Sequence, residues 1–198
     1  MSRGSRYTVP FHRRKEGKTD YQMRRGLILS RLPRIAVRGS LKHMTVQLTS
    51  ADVVGDKVIA SAHSKELIKS YGWEGGCGNL PAAYLTGLLC GSRAAQKEVK
   101  EAILDVGLRS PSKGARIFAV LKGFIDAGIE VSYDEGIMPS DERIEGKHIA
   151  QYAAGLASSD KELYSRMFSE YLSAGLPPEE IPKHFFSFKE RIVSSSKD

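Results

Sequence analysis

Residues 34–48 read RIAVRGSLKHMTVQL, in which two runs of alternating apolar and polar side chains flank the short segment GSLK. Alternation with a period of two is typical of strands that are buried on one face only. The stretch therefore predicts a β-hairpin with strands over 34–38 and 43–48. The side chains that we expect to face the core are Ile35, Val37, Met44, Val46 and Leu48. The side chains expected on the opposite, polar and basic face are Arg34, Arg38, His43, Thr45 and Gln47.

The segments around this hairpin predict further strands and helices from their hydrophobic periodicity. Strands are expected at 57–62 and 102–108. Helices are expected at 20–32, 81–100 and 113–127, and then at 143–156, 160–173 and 178–193. The glycine-rich stretch YGWEGGCGN at 71–79 predicts a loop. This order of elements predicts an α/β fold, a mixed sheet of about four strands with helices packed on it.

The predicted elements group into three parts of the chain. A basic N-terminal arm with a short helix covers residues 1–33, an α/β domain covers 34–140, and a helical C-terminal extension covers 141–198. In the predicted helix at 81–100, small side chains recur at every fourth position, and we expect this stripe to pack closely on the sheet. The stripe consists of Ala83, Gly87, Gly91 and Ala95.

The positive charge is concentrated at one end of the chain. Residues 1–42 contain twelve Lys and Arg against two acidic residues, a net charge of +10, whereas the whole chain of 198 residues carries +7. A basic arm on a mildly acidic body indicates a polyanionic partner, although a solubilising tail is the alternative. Three aromatic residues, Tyr7, Phe11 and Tyr21, lie among the charges and favour nucleic acid, because aromatic rings stack on bases.

Composition disfavours several other classes of protein. No run of about 18 apolar residues is present, so we expect no membrane span, and the apolar cluster at 27–29 is too short for a signal peptide. The cysteines, Cys77 and Cys90, have neither metal-site spacing nor the pattern of a disulfide framework. We therefore expect a cytoplasmic protein without cofactor or metal.

The triplet Gly17-Lys18-Thr19 has the appearance of the end of a nucleotide-binding P-loop. The first glycine of that motif is replaced by His12, and no strand precedes it, so the motif is rejected. We expect Gly17 to be a flexible joint after an arm without structure of its own. Thr19 is expected to cap the next helix, with Gln22 as its capping-box partner. Lys18 is then expected to contact an RNA phosphate.

Two candidate catalytic features have weak support in the sequence. Cys77 lies on the glycine-rich loop, but no histidine forms a recognisable nucleophile–base pair with it. Asp52, Asp56 and Asp105 lack a spacing that links them as a nuclease metal site, so structural roles are favoured.

Further RNA contacts are candidates in two other places. Trp73 belongs either to the core or to a base-stacking surface. Arg109, Lys113 and Arg116 cluster at the start of a predicted helix, where they form either a second RNA contact or a solvated helix end.

Five blocks of the sequence resemble, in the same order, the archaeal form of the L-eighteen family of large-subunit ribosomal proteins. They are RRKEGKTDY (13–21), RGSLKH (38–43), GDKVIASAHSKEL (55–67), YGWEGGCGNLPAAYLTGLL (71–89) and SPSKGARIFAVLKGFIDAG (110–128). The resemblance extends from about Tyr7 to Ala150, and the helical tail resembles the archaeal extension only loosely. The family is related to the eukaryotic ribosomal protein that binds 5S ribosomal RNA.

This resemblance implies a non-enzymatic protein that binds 5S rRNA and helps to dock it at the central protuberance of the large subunit. The implied partners are 5S rRNA, large-subunit rRNA and neighbouring large-subunit proteins. The RNA-binding residues that it implies are Arg13, Arg14, Lys15, Lys18, Tyr21, Arg24, Arg25, Arg38, Ser40, Lys42, His43, Trp73 and Asn79. From charge and position we add Arg31, Arg34, Arg109, Lys113 and Arg116. An RNA-processing enzyme and a general nucleic-acid chaperone are the alternatives.

Overall fold

The alternating stretch at 34–48 forms the centre of one open sheet in the computed structural model, which describes residue 4 and residues 8–195. The arm residues Arg3, Arg6 and Tyr7 lie outside the described residues. The strands are β1 (Arg34–Gly39), β2 (Met44–Ala51), β3 (Asp56–His63), β4 (Glu101–Asp105) and β5 (Glu130–Val131). The fifth strand was not predicted, because two residues are too few to show a period.

The sheet is mixed, as predicted, with the order β3-β2-β1-β4-β5. Strand β2 is antiparallel to both β1 and β3, while β4 is parallel to both β1 and β5. In the β1–β2 register Ile35 pairs with Leu48 and Val37 pairs with Val46, so apolar side chains meet on one face. The predicted hairpin is confirmed, since all five residues assigned to the core face are at most 1% exposed.

Helices cover this apolar face and continue into the C-terminal part. Among the described residues they are α1 (His12–Lys15), α2 (Tyr21–Leu29), α3 (Ser64–Glu66, continued by a π-helical turn over Leu67–Tyr71), α4 (Leu80–Ala95), α5 (Arg116–Asp126), α6 (Asp141–Ile144), α7 (Lys147–Ser159), α8 (Lys161–Met167), α9 (Ser169–Ser173) and α10 (Ile181–Ser195). Short 3₁₀ turns lie at Glu135–Ile137 and Pro178–Glu180. In the part of the chain that the structure describes, no helix is both long and apolar enough to cross a membrane.

The two glycines of the small-residue stripe, Gly87 and Gly91, pack against α5 and not against the sheet, which corrects the prediction, and Ala95 is exposed. A side chain at Gly87 would enter the backbone of Val120, and one at Gly91 would lie 2.7 Å from the Cβ of Ala127. Glycine is therefore required here because two helix backbones lie in direct contact. Periodicity identified the close-packed face but not the element that it meets.

The C-terminal helices share the core of the sheet domain. Phe185, Phe188 and Ile192 of α10 are at most 2% exposed and belong to the same hydrophobic cluster as α4 and β2. The three predicted helices are found, although the second is divided into α8 and α9. The division of the chain at 33 and 140 stays a prediction.

Candidate nucleic-acid interface

The basic arm contains a closed helical turn, which corrects the expectation that it has no structure of its own. Helix α1 is followed by Gly17, which adopts a φ of +64°. Its N–H donates to the carbonyl of Arg14 at 3.1 Å, and the N–H of Lys18 donates to that of Arg13 at 2.9 Å. This is the pattern of a left-handed C-terminal helix cap, in which glycine avoids a Cβ clash. Gly17 is thus a helix stop.

Helix α2 is capped by Asp20 and not by Thr19. The Oδ1 atom of Asp20 accepts from the N–H groups of Gln22 and Met23 at 2.9 and 3.2 Å. Thr19 instead accepts a hydrogen bond from Nε of Arg13 at 2.9 Å, which ties α1 to the start of α2. A carboxylate is the better cap because it also interacts with the positive helix end. The helix ends at Leu29, three residues before the predicted end.

An open cleft separates the arm and α2 from the polar face of the sheet. Its volume is about 740 Å³, within the range of roughly 300–1,000 Å³ that is usual for ligand clefts. Six residues predicted to bind RNA line it: Arg13, Lys18, Tyr21, Arg24, Arg34 and Arg38. The ring of Tyr21 lies 4.8 Å from that of Phe11, so an aromatic pair stands at this basic cleft.

A chain of alternating charges crosses the cleft from α2 to β4. Arg24 binds Asp56 through two hydrogen bonds of 2.8 and 2.7 Å. Arg34 lies 2.8 Å from the same carboxylate and 3.6 Å from that of Asp105, which Arg38 approaches at 3.4 Å. The hydrogen bond from Arg24 lowers the pKa of Asp56, and the positive charge of Arg34 adds to the shift, although partial burial opposes it.

This network changes the interpretation of three residues. Arg34 is 2% exposed and its guanidinium lies beside two carboxylates, so the structure favours an internal ion-pairing role for it over contact with RNA. Asp56 and Asp105, which no spacing linked, meet around it in the structural role that was favoured. Within the described ranges, no group of three or more His, Cys, Asp or Glu residues could hold a metal ion.

The β1–β2 loop is fixed by two arginines, Arg109 from the segment before α5 and Arg116, the first residue of α5. Arg109 donates to the carbonyl of Gly39, and Arg116 donates to those of Ser40 and Gly78 at 3.1 and 2.7 Å. These guanidinium groups connect the hairpin loop to the glycine-rich loop. Neither of the two alternatives for this cluster anticipated such a role.

The glycine-rich loop touches the hairpin loop directly. A Cβ at Gly78 would lie 2.5 Å from the carbonyl oxygen of Leu41, so only glycine permits this approach. At the end of the hairpin, Nδ1 of His43 lies 3.2 Å from the Ser64 hydroxyl. Ser64 accepts from the backbone N–H of Met44 at 3.0 Å. The two loops therefore form one continuous surface.

Trp73 belongs to the core, which decides between the two alternatives for this residue. It is 1% exposed and packs against the rings of His184 and Phe188 from α10, at 4.9 and 5.4 Å between centroids. Asn79 caps α4 by accepting from the N–H of Ala82 at 2.9 Å and donates to the Tyr171 hydroxyl at 3.2 Å. The sequence showed no link between this loop and the C-terminal helices.

The cysteines are buried and are not bridged. The Cys77 thiol donates to the carbonyl of Ser64 at 3.3 Å, and burial raises its pKa. Burial also raises the pKa of Cys90 to about 12. A thiol that resists deprotonation is a poor nucleophile, so the structure favours packing roles for both residues.

Exposure divides the predicted RNA-binding residues into three groups. The exposed residues are Arg13, Arg14, Lys15, Lys18, Arg25, Arg31, Arg38, Ser40, Lys42, Arg109 and Lys113. The half-buried residues are Tyr21, Arg24, His43, Asn79 and Arg116. Arg34 and Trp73 are buried. The exposed residues belong to the arm with α2, to the hairpin, and to the segment that precedes α5.

Comparison with known proteins assigns the chain that carries this basic surface to a family. Residues 5–100 and 94–134 match the family described as ribosomal large subunit proteins 60S L5 and 50S L18. The chain belongs to this family. The resemblance seen in the five sequence blocks is thereby confirmed. Members of the family are non-enzymatic ribosomal proteins, which removes the RNA-processing enzyme as an alternative.

Archaeal members of the family are similar over nearly their whole length. Large ribosomal subunit protein uL18 of Aeropyrum pernix is 53% identical over 197 residues, covering 100% of this chain and 92% of the relative. That of Caldivirga maquilingensis is 51% identical, with 98% and 93% covered. That of Methanococcus maripaludis is 50% identical, with 98% and 100% covered. The chain is thus a structural protein of the large ribosomal subunit that associates with ribosomal RNA.

Proposed function

We propose that the chain binds 5S rRNA and helps to attach it to the large subunit at the central protuberance. The observation that carries the RNA-binding part is the cleft between α2 and the polar face of the sheet. Its walls combine exposed cations, Arg13, Lys18 and Arg38, with the ring of Tyr21. The choice of 5S rRNA rests on the resemblance of the five sequence blocks, and the location of the basic residues supports it.

The binding surface would extend from the cleft to the hairpin loop. Arg38 lines the cleft and immediately precedes the loop that Arg109 and Arg116 hold in place. Lys42 and Lys113 are exposed beside it. Two basic areas joined through Arg38 can contact successive phosphates of an RNA backbone. Each neutralised phosphate releases a condensed counterion, which favours binding.

Specificity would come from features other than charge. The ring of Tyr21 is half-buried beside Phe11, a position suited to stacking on an unpaired base. The fixed hairpin loop would read the shape of the RNA and its 2′-hydroxyl groups. A general nucleic-acid chaperone needs neither a preformed loop nor a single RNA shape.

The decisive experiment is a binding titration with 5S rRNA, a scrambled RNA of equal length and duplex DNA at several salt concentrations. We expect 5S rRNA to bind most tightly. If six to eight phosphates are neutralised, log K against log salt should have a slope of about −4 to −7. Equal affinity for all three nucleic acids would reject the proposal in favour of a chaperone.

A pair of charge variants tests where the RNA binds. Replacing Arg14 and Lys15 by Gln should weaken 5S rRNA binding and reduce the steepness of the salt dependence by about 2, one for each phosphate contact. The control replaces Lys161 and Lys183, exposed on the C-terminal part, by Gln and has the same change in net charge. Equal losses in the two variants would show that net charge, and not the arm, determines binding.

A further inference from the structure

Helix α2 is attached to the sheet by a single polar contact. None of its residues is buried. Between described residues, the pair of hydrogen bonds from Arg24 to Asp56 is the one hydrogen-bonded or ionic contact that joins α1 or α2 to a strand of the sheet. An amphipathic helix usually docks through a buried apolar stripe. Here Met23, Ile28 and Leu29 are exposed and Leu27 is only half-buried, so packing alone does not explain the position of α2.

The carboxylate of Asp56, which accepts the hydrogen bonds from Arg24, also pairs with the buried side chain of Arg34. The Arg34 side chain, 2% exposed, places Nη2 at 2.8 Å from Oδ1 of Asp56. Asp105 lies 3.6 Å from the other end of the same guanidinium. Since a buried guanidinium is costly without a carboxylate partner, Arg34 keeps Asp56 ionised and in place. Asp56 therefore joins an exposed helix to a strand of the sheet.

We propose that Asp56 is a positioning residue for RNA binding, which holds α2 over the sheet and so maintains the cleft in its binding-competent form. The proposal rests on the proposed function, because it assigns to this acidic residue a role at that RNA-binding surface. Asp56 does not contact RNA in this role. It acts through Arg24, whose helix carries Tyr21 and Arg25.

Simple electrostatics makes the opposite prediction for Asp56. A carboxylate that lines a basic cleft repels phosphates, so its neutralisation should strengthen RNA binding if charge alone mattered. If Asp56 positions α2, its neutralisation should weaken binding, since apparent affinity falls in proportion to the population of the competent form. The sign of the change separates the two explanations.

The test uses the full chain, 5S rRNA and three variants. Asp56→Asn removes the charge with little change in shape. Arg24→Lys keeps the charge but cannot form the paired hydrogen bonds of a guanidinium, and it leaves the Asp56–Arg34 contact intact. Arg166→Lys is the matched control, because Arg166 is an exposed arginine of helix α8, outside the proposed RNA-binding surface. Hydrogen exchange of the amides at 21–29 in the free protein measures α2 docking without RNA.

We expect Asp56→Asn and Arg24→Lys to accelerate exchange at 21–29 and to weaken 5S rRNA binding about tenfold, as when the docked fraction falls to about a tenth. The slope of log K against log salt should stay close to that of the wild type, because no phosphate contact is removed. Arg166→Lys should change neither exchange at 21–29 nor affinity.

Three results would overturn the proposal. They are unchanged exchange at 21–29 in both variants, equal or tighter RNA binding by Asp56→Asn, and equal effects of Arg24→Lys and Arg166→Lys. If Asp56→Asn fails to fold, Arg24→Lys decides, since it leaves the buried Arg34 paired. Failure of the proposed function is distinguishable, because then the wild-type protein itself does not prefer 5S rRNA.

Discussion

Gly87 of α4 and Gly123 of α5 face each other where the two helix backbones cross. A Cβ built on Gly123 would lie 3.0 Å from the carbonyl carbon of Gly87 and 2.5 Å from the carbonyl oxygen of Tyr84. The neighbouring atoms are backbone, so they cannot rotate away. This contact brings the two helices that cover the sheet close enough to bury its whole apolar face.

Replacement of either glycine by alanine should therefore destabilise the protein. We expect Gly87→Ala and Gly123→Ala to lower the free energy of unfolding by at least about 2 kcal/mol, because overpacking outweighs the gain in helix propensity. Gly155→Ala in α7 is the control, as its added Cβ meets no atom within 4 Å. It should stabilise by about 0.5–1 kcal/mol. Urea denaturation measures all three, and a stabilised Gly87→Ala would contradict the packing argument.

Truncation of Phe188 should undock α10 from the glycine-rich loop. This side chain is 2% exposed and packs against Trp73 and His184. Phe188→Ala should cost about 3–5 kcal/mol, the usual range for a buried aromatic side chain. Phe186→Ala, two residues earlier and 46% exposed, should cost less than about 1 kcal/mol. Thermal unfolding gives both values, and similar costs would mean that α10 is not anchored through Phe188.

The contact between Trp73 and His184 makes the environment of Trp73 sensitive to pH. Nε2 of His184 accepts a hydrogen bond from the Glu74 N–H at 3.3 Å, which requires the neutral ring. Burial lowers the pKa of His184 below its ordinary value of 6.5, and the charge of Arg191 adds to the effect while Glu74 opposes it. The folded pKa lies below the unfolded one. The contribution of neutral His184 to the stability of the folded protein is therefore complete above about pH 6.5, and it is lost as the pH falls through the folded pKa.

Fluorescence of Trp73, which is the single tryptophan of the chain, can follow this change. We expect the emission to shift as the pH falls below about 6.5, together with a lower melting temperature. His184→Gln keeps an acceptor for the Glu74 N–H and should remove the local shift. An unchanged pH profile in His184→Gln would assign the effect to other groups.

Deletion of residues 1–25 should separate folding from RNA binding. Neither α1 nor α2 contributes a buried residue to the core, so the deletion removes no core side chain from these helices. Asp56 loses Arg24 but keeps Arg34 as its partner. We expect cooperative unfolding close to that of the full chain, measured by calorimetry, and strongly weakened binding of 5S rRNA. A truncated protein that does not fold would show that the arm supports the domain.

The hairpin and the main helices were predictable because their signals are local. Alternation between residues 34 and 48 placed every side chain of the hairpin on its correct face. The 3.6-residue period of α5 and the glycine that follows it were equally clear. The charge of the arm was visible in composition alone. Such patterns are local because the polarity of the side chains within one segment indicates which of its positions are buried and which are exposed.

Competition between neighbouring residues was harder to predict. Thr19 and Asp20 are both good helix caps, and the sequence does not say which of them also has another partner. Arg13 occupies the Thr19 hydroxyl, which leaves Asp20 to cap α2. The glycine stripe of α4 posed a similar problem, since periodicity marks a close contact without naming the element on its other side.

By itself the sequence determined strands β1 to β4, the main helices and the location of positive charge, because each depends on the pattern within one segment. The tertiary structure alone decided that Asp56 and Asp105 meet around Arg34, and that Trp73 lies beneath α10. These residues are far apart along the chain, and only the register of the strands and the crossing of the helices bring their atoms into contact. Burial makes Arg34, which the sequence suggested for RNA contact, the ion-pair partner of two aspartates.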